Sequence, residues 1–397
     1  MESRLRRRKF LKASAAALAT ASAAPLWRPS RARAAETVKV GILHSLTGTI
    51  AIAEASVVDA EKLAIKQINA AAGVLGRKIE PVVEDGASDW PTFAEKAKKL
   101  LLADKVACVF GCYTSASRKA VLPVFEQNKG LLYYPTYYEG LEQSPNVMYT
   151  AQEATQSVVA AVNWLAQNRG KSFYLIGSDY IWPRTTNKIA RPSIAKIGGS
   201  VVGEEYYPLG HTQFTTAINK IRLNKPDVIL STIVGGSNVA FYKQLLAAGI
   251  TSKKQTLLAL AVSEEELSGI GAENATGYLS CMSYFQSVKN VENDAFVKAF
   301  KGEYGQKRVL GDTLQCGYTS VYLWKLAAEK AGSFEVPAVA AASSELGWNA
   351  PEGTVKFHKE NHHLWKRARI GEFQKDGQVK LLYESPLIEP NPFAKFS

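Results

Sequence analysis

Three segments of this sequence place hydroxyl groups and aromatic rings directly after runs of strand-forming residues. They are residues 111–115, 135–140 and 178–183, which follow the strand-like runs 106–110, 131–134 and 173–177. Side-chain hydroxyls can donate and accept hydrogen bonds, and flat rings can cover a planar molecule and exclude water. A carboxylate or phosphate ligand would call instead for arginine, lysine or a glycine-rich nest of backbone N–H groups. The composition therefore predicts a site for a small, neutral, planar and polar molecule.

Six side chains in or next to these segments are the main candidates for contacts with such a molecule. Ser115 and Thr136 can hydrogen-bond to a carbonyl oxygen or to N–H groups. The aromatic rings that can enclose the molecule are those of Tyr113, Tyr134, Tyr180 and Trp182. Ser263 follows a later strand-like run and is a seventh candidate, although its place before three glutamates also predicts a helix N-cap. An alternative interpretation is that the rings are ordinary half-buried residues at strand ends.

None of the common catalytic or nucleotide-binding motifs occurs in the sequence, neither G-x-S-x-G and H-E-x-x-H nor G-x-G-x-x-G and the Walker loop. His358, His362 and His363 could bind a metal, but a solvated or hydrogen-bonded histidine cluster is the simpler interpretation. We therefore expect no catalytic residue, no metal site and no cofactor.

Short β-branched runs alternate with longer amphipathic runs from residue 38 onward. This alternation is typical of parallel sheets covered by helices on both faces. The rhythm restarts after Tyr149 without a linker rich in proline, glycine or serine. The pattern predicts an α/β protein with two doubly wound parallel-sheet lobes, joined by a hinge that the chain crosses several times.

We expect the crossings near Thr150, near Tyr284 and near residue 350. Residues 35–150 and 285–350 would then form the first lobe, and residues 151–284 and 351–397 the second. The β-type composition of residues 354–384 predicts a small antiparallel addition.

The N-terminus has the pattern of a twin-arginine export signal. Residues 7–12 read Arg-Arg-Lys-Phe-Leu-Lys and precede an alanine-rich stretch, and Ala32-Arg33-Ala34 offers a cleavage site. The apolar stretch of about a dozen residues is too short to span ~30 Å of hydrocarbon. We expect residues 1–34 to be an export signal to the periplasm; the alternative is a basic extension of a cytoplasmic protein.

Most of the positive charge belongs to this N-terminal segment. Residues 1–34 contain nine of the 48 lysines and arginines and one of the 36 acidic residues, so 39 basic and 35 acidic residues remain. This near balance excludes the concentrated basic face of a nucleic-acid-binding protein. For the cysteines Cys108, Cys112, Cys281 and Cys316 we expect buried free thiols, with a Cys281–Cys316 disulfide left open.

The three segments resemble the signature motifs of a known family. Residues 111–123 (Gly-Cys-Tyr-Thr-Ser-Ala-Ser-Arg-Lys-Ala-Val-Leu-Pro), 134–140 (Tyr-Pro-Thr-Tyr-Tyr-Glu-Gly) and 177–184 (Gly-Ser-Asp-Tyr-Ile-Trp-Pro-Arg) look like those of urea- and short-chain-amide-binding proteins. These are substrate-binding components of ABC transporters, within the type 1 periplasmic-binding-protein group that also includes branched-chain amino acid receptors. The resemblance runs through essentially the whole chain after the signal, including residues 44–49 and 361–363.

The resemblance implies a periplasmic receptor that closes on urea or a short-chain aliphatic amide and delivers it to membrane ABC permease subunits. It implies that the first-lobe wall of the site is formed by Tyr113, Ser115, Tyr134 and Thr136. The second lobe would supply the rings of Tyr180 and Trp182. Thr136 stands where many urea-type members have valine and also resembles the amide-sensing regulators of amidase operons, which leaves urea or amide open. A periplasmic sensory subunit and an amide hydrolase are the alternative functions.

Overall fold

The structure is a computed structural model that describes residues 37–395 of the 397-residue chain. The predicted export signal, residues 1–34, lies outside the described residues. Within residues 37–395, no helix combines the length and apolar composition needed to cross a membrane.

The first sheet has five parallel strands and is built by the N-terminal part of the described chain. Its strands are β1 (Thr37–His44), β2 (Lys78–Asp85), β3 (Val109–Gly111), β4 (Leu132–Tyr134) and β5 (Val147–Tyr149), connected by α1 (Ala51–Ala70), α2 (Trp90–Leu102) and α3 (Ser115–Gln127). The spatial order is β2-β1-β3-β4-β5. Val109 pairs with Leu132, so β3 and β4 are neighbours and the segments after them leave the sheet side by side. Such carboxyl edges are where ligands bind in parallel sheets.

The second sheet begins with five more parallel strands. They are β6 (Ser172–Ser178), β7 (Ser200–Tyr207), β8 (Val228–Thr232), β9 (Thr256–Ala259) and β10 (Leu279–Met282), with α4 (Val158–Asn168), α5 (Ile181–Lys196), α6 (Thr215–Asn224), α7 (Ser237–Ala247), α8 (Glu264–Ile270) and α9 (Ala272–Ala275) among them. The predicted parallel α/β alternation is therefore confirmed in both sheets.

After β10 the chain returns to the first sheet. It forms α10 (Val291–Tyr304), α11 (Asp312–Ala331), α12 (Val336–Ser343) and a small antiparallel sheet of β11 (Gly347–Ala350), β12 (Gly353–Phe357) and β13 (Leu364–Trp365). Val355 and Phe357 of β12 are buried in one cluster with Phe110 of the first sheet and Trp324 of α11. The chain then adds β14 (Arg369–Phe373) and β15 (Val379–Glu384) antiparallel to the second sheet, whose order is β15-β14-β10-β9-β8-β6-β7.

Several local predictions need correction. The third passage between sheets lies between Trp365 and Arg369, not near residue 350, because β12 and β13 bury their apolar side chains with the first sheet. The helix expected from residue 186 begins at Ile181, since Pro183 stands in its first turn, where no backbone N–H is needed. β5 and β11 are three and four residues long and were not predicted.

The lobe boundaries remain a proposal, which these passages lead us to revise. We now assign residues 37–150 and 285–365 to the first lobe, and residues 151–284 and 366–395 to the second. The four cysteines are buried free thiols, so Cys281 and Cys316 are not bridged in this structure.

A buried ion cluster joins β1 to α1 beneath the first sheet's carboxyl edge. His44 Nδ1 lies 3.2 Å from Glu54 Oε2, and His44 Nε2 lies 3.1 Å from Glu61 Oε1, with all three side chains inaccessible to solvent. Burial alone would lower the pKa of His44, but the charges and hydrogen bonds of Glu61 and Glu54 outweigh it and raise the pKa to about 10. The imidazolium therefore persists through neutral pH.

The raised pKa of His44 predicts a pH-dependent stability. In the unfolded chain His44 titrates near its ordinary value, so its contribution is complete below about pH 6.5 and is lost as the pH rises towards 10. Scanning calorimetry should show the free energy of unfolding falling by several kcal/mol across this range. The fall should be clearly smaller in His44→Gln, which cannot titrate; equal slopes for the two proteins would contradict the assignment.

Candidate functional site

The first wall of the candidate site comes from the segments after β3 and β4. Tyr134 O–H donates to the carbonyl oxygen of Tyr113 at 2.6 Å, and Thr136 O–H donates to the carbonyl oxygen of Cys112 at 3.3 Å. Tyr113, Tyr134 and Thr136 are all buried. The neighbouring strand ends thus bring these side chains together, as their positions in the sequence predicted.

Ser115 is the first residue of α3, directly after the N-cap Thr114. Its hydroxyl donates to Glu139 Oε2 at 2.5 Å and accepts from Arg118 Nη1 at 3.2 Å. Ser115 and Glu139 are 1% and 2% exposed. The polar wall is therefore held by ionic groups behind it.

Arg118 is the centre of this ionic support. Its guanidinium is fully buried, lies 4.8 Å and 4.4 Å from the ring centres of Tyr134 and Tyr138, and donates to Glu139 at 3.3 Å and Glu142 at 2.8 Å. Burial would raise the pKa of Glu142, but Arg118 and the neighbouring lysine outweigh it and lower the pKa to about 2. The low charge of the three segments did not reveal this network, although the quoted motifs contain Arg118 and Glu139.

The second wall comes from the segment after β6. Tyr180 is the N-cap residue of α5 and Trp182 lies in its first turn, so the two side chains stand at a helix start and not in a free loop. The Trp182 ring lies 5.3 Å from the ring of Tyr137, which belongs to the first wall. Tyr137 in turn shares a hydrogen bond of 2.9 Å with Tyr113. Tyr137 was within the predicted segment but was not named as a candidate.

The two walls are in contact, so the structure represents a closed arrangement. One cluster of buried apolar side chains continues from the first sheet through Tyr113, Tyr137 and Trp182 into the second sheet. At the rim, Ser56 of α1 donates a hydrogen bond to Glu265 of α8. In this arrangement the three rings are buried.

Ser263 acts as the N-cap of α8, as one of the two interpretations predicted. Its backbone N–H and hydroxyl both bond to Glu266 Oε2, at 2.9 Å and 2.7 Å. Burial, followed by the charges of neighbouring groups including Glu266, raises the pKa of Tyr113 and Tyr137. Ser263 thus lies on the helix that brings Glu266 near the tyrosine pair, and its hydroxyl is occupied by the cap. A contact of Ser263 with ligand stays a prediction.

The histidines near the C-terminus are hydrogen-bonded. His363 Nδ1 donates to the carbonyl oxygen of Asn361, and Nε2 accepts from Tyr138 O–H, each at 2.5 Å. Burial lowers the pKa of His363 to about 3, so the ring is neutral. Its ring stacks 4.1 Å from that of Tyr149. The tail therefore supports Tyr138, which itself packs on Arg118.

Several comparisons with known proteins cover nearly the whole described chain. The profile of a family described as "Periplasmic binding protein domain" matches residues 38–397. "Leu/Ile/Val-binding protein homolog 8" of Brucella abortus (strain 2308) is 26% identical over 389 residues, which are 90% of this chain and 93% of that protein. A solute-binding protein of an ABC transporter from Rhodopseudomonas palustris BisB5, solved with 3,4-dihydroxybenzoic acid, has a TM-score of 0.81 and 23% identity and covers 89% of this chain and 98% of its own.

One similarity covers a short segment. "Limonene hydroxylase" of Geobacillus stearothermophilus is 30% identical over 116 residues, which are 29% of this chain and 21% of that protein. The match leaves most of that protein without a counterpart, so it carries no conclusion about activity.

The buried guanidinium leads to a prediction about stability. Arg118→Met removes the buried cation from Glu139 and leaves Glu142 with Lys119 alone, and it should lower the free energy of unfolding by about 3–5 kcal/mol in scanning calorimetry. Lys119→Met removes the adjacent cation, whose side chain is 38% exposed, and should change it by less than about 1 kcal/mol. Equal stabilities of the two variants would show that Arg118 is not the centre of the network.

Proposed function

The chain belongs to the periplasmic binding protein family, the solute receptors of ABC transporters, and we propose that it binds urea or a short-chain aliphatic amide between its two lobes. In this proposal the closed, ligand-bound form docks on the membrane permease and releases the ligand to it. The export signal would bring the receptor to the periplasm by the twin-arginine route.

The observation that supports this ligand is the direction of the hydrogen bonds in the first wall. Ser115, Tyr134 and Thr136 each use their only O–H hydrogen within the protein. A hydroxyl oxygen has two acceptor positions, so each of these oxygens can still accept a hydrogen bond. Tyr113 and Tyr137 share one bond, which leaves one of the two O–H groups as a donor. Ser115, Tyr134 and Thr136 therefore offer acceptors only, and the tyrosine pair offers one donor.

That pattern complements a primary amide. The single NH₂ group of an amide supplies N–H donors for two of the three oxygens, and the two NH₂ groups of urea can supply all three. The carbonyl oxygen of either ligand can accept the remaining tyrosine O–H. Planar faces of Tyr137, Tyr180 and Trp182 can cover the ligand. A carboxylate brings acceptors only, and the buried cation Arg118 is already bound to Glu139 and Glu142. The ammonium group of an amino acid could donate to the acceptors, but its carboxylate would be buried without a free cation. Hence the wall favours a neutral N–H donor over the amino acids and the aromatic acid in the names of the related proteins.

The size of the ligand limits its affinity. Urea has four non-hydrogen atoms, and at about 1.5 kcal/mol per atom its binding free energy reaches at most ~6 kcal/mol. This corresponds to a dissociation constant of tens of micromolar. Acetamide has the same number of atoms and the same ceiling.

Titration calorimetry of the mature protein with urea, formamide, acetamide, propionamide, acetate and leucine tests the proposal. We expect a dissociation constant of about tens of micromolar for the best amide. Binding should be at least about 100-fold weaker for acetate and leucine, whose carboxylates would be buried without a free cation. Leucine or acetate binding more tightly than every amide would overturn the ligand assignment. The same mixtures should release no ammonia, whereas steady release would favour the amide hydrolase.

Replacing Trp182, one of the rings that can cover the ligand, should weaken ligand binding without unfolding the protein. Trp182→Phe keeps an aromatic ring but reduces its contact with Tyr137 and the ligand, so we expect a dissociation constant raised roughly tenfold or more. Trp164→Phe, on α4 and beneath Arg169, is the matched control and should bind like the wild type. If both variants melt near the wild-type temperature and bind the amide with equal affinity, Trp182 does not contact the ligand.

A further inference from the structure

The Ser115 hydroxyl would rotate freely if its neighbours allowed it, and its direction decides which ligand atoms it can bind. Two ionic groups remove that freedom. Glu139 Oε2, a carboxylate oxygen that can only accept, lies 2.5 Å away and takes the hydroxyl hydrogen. Arg118 Nη1, which can only donate, lies 3.2 Å away and takes one acceptor position of the oxygen. The remaining position can accept a hydrogen bond and cannot give one.

Glu139 is itself held in place from three directions. Its second oxygen accepts from Arg118 Nη2 at 3.3 Å. Tyr138, the preceding residue, donates its backbone N–H to the carbonyl oxygen of Gln152 at 3.0 Å. The following residue, Gly140, has φ +74° and turns the chain against Pro392, where a Cβ would lie 3.0 Å from a carbonyl oxygen. The carboxylate therefore stays behind Ser115 and does not swing into the site.

We propose that Glu139 is a specificity-determining positioning residue: by holding the Ser115 hydroxyl as an acceptor, it makes the site select molecules that present N–H donors. The inference rests on the proposed function and adds the discrimination step to it. A ligand of the same shape with methyl groups in place of NH₂ leaves the remaining acceptor position of the buried Ser115 oxygen without a donor. Buried polar groups without a partner are a strong source of discrimination between such analogues.

Glutamine at position 139 should reverse the direction of this bond. Arg118 Nη2 needs an acceptor, so the side-chain oxygen of the glutamine would stay towards Arg118 and its NH₂ group would face Ser115. The Ser115 hydroxyl would then accept from the glutamine, and its own hydrogen would turn to the ligand. Glu139→Gln keeps the size of the side chain and changes the sense of a single hydrogen bond.

Urea and acetone provide the matched probes, because both are neutral and planar and have four non-hydrogen atoms, but only urea carries N–H groups. The measured quantity is the ratio of their dissociation constants, obtained by calorimetry or by competition. We expect the wild type to prefer urea by at least about 100-fold. In Glu139→Gln the preference should shrink by at least tenfold.

Glu142→Gln is the control for the loss of negative charge. Glu142 binds the same guanidinium, at 2.8 Å, and has no hydrogen bond to Ser115 among the contacts of residues 37–395. It should keep the wild-type ratio. Ser115→Ala is a second test of the same role. Its preference for urea over acetone should shrink by a similar factor, and adding Glu139→Gln to it should change the ratio little further.

The outcomes distinguish the role of Glu139 from the proposed function. The role of Glu139 is overturned, and the proposed function is not, if the wild type strongly prefers urea to acetone and Glu139→Gln keeps the same ratio as Glu142→Gln. If Glu139→Gln melts before it can be titrated, an unchanged ratio in Ser115→Ala overturns it equally. A wild type that binds no urea, formamide, acetamide or propionamide overturns the proposed function and this inference together.

Discussion

The burial of one guanidinium is the constraint on which the rest of the site depends. Arg118 lies in the protein interior against the rings of Tyr134 and Tyr138, and it requires both Glu139 and Glu142 as partners. Because a buried charge without partners is strongly destabilising, the segment after β4 must stand where its carboxylates meet Arg118. That requirement fixes the hydroxyls in front of the cation.

Because Arg118 is paired within the protein, membership of the family does not by itself decide which ligand this chain binds. The related proteins carry names that refer to branched-chain amino acids, or were solved with an aromatic acid, and all of these molecules contain a carboxyl group. A shared fold supplies two lobes and a cleft between strand ends, but the chemistry of the cleft is decided by individual side chains. In this chain Arg118 is already paired with Glu139 and Glu142, and in the proposed site the groups left for a ligand are hydrogen-bond acceptors.

The sequence predicted the parts of the structure that depend on local pattern. Alternating strand and helix patterns predicted the two parallel sheets. The positions of Tyr113, Tyr134 and Thr136 at the ends of strand-like runs predicted that they lie on one wall, where Tyr134 and Thr136 bond to the segment after β3. The features that depend on distant contacts were missed. β5 is too short to give a pattern, the third passage depends on how β12 packs, and the Arg118–Glu142 pair joins residues 24 positions apart. Tyr137 was missed because its role depends on Trp182, a residue of the opposite wall.

A crystal structure of the protein with urea would test the central claim most directly. The account predicts urea in the closed cleft, in contact with the rings of Tyr137 and Trp182. Its nitrogen atoms should lie within hydrogen-bond distance of the oxygens of Ser115 and of Tyr134 or Thr136. Urea with its carbonyl oxygen at Ser115, or a cleft that stays open and empty at saturating urea, would contradict the account.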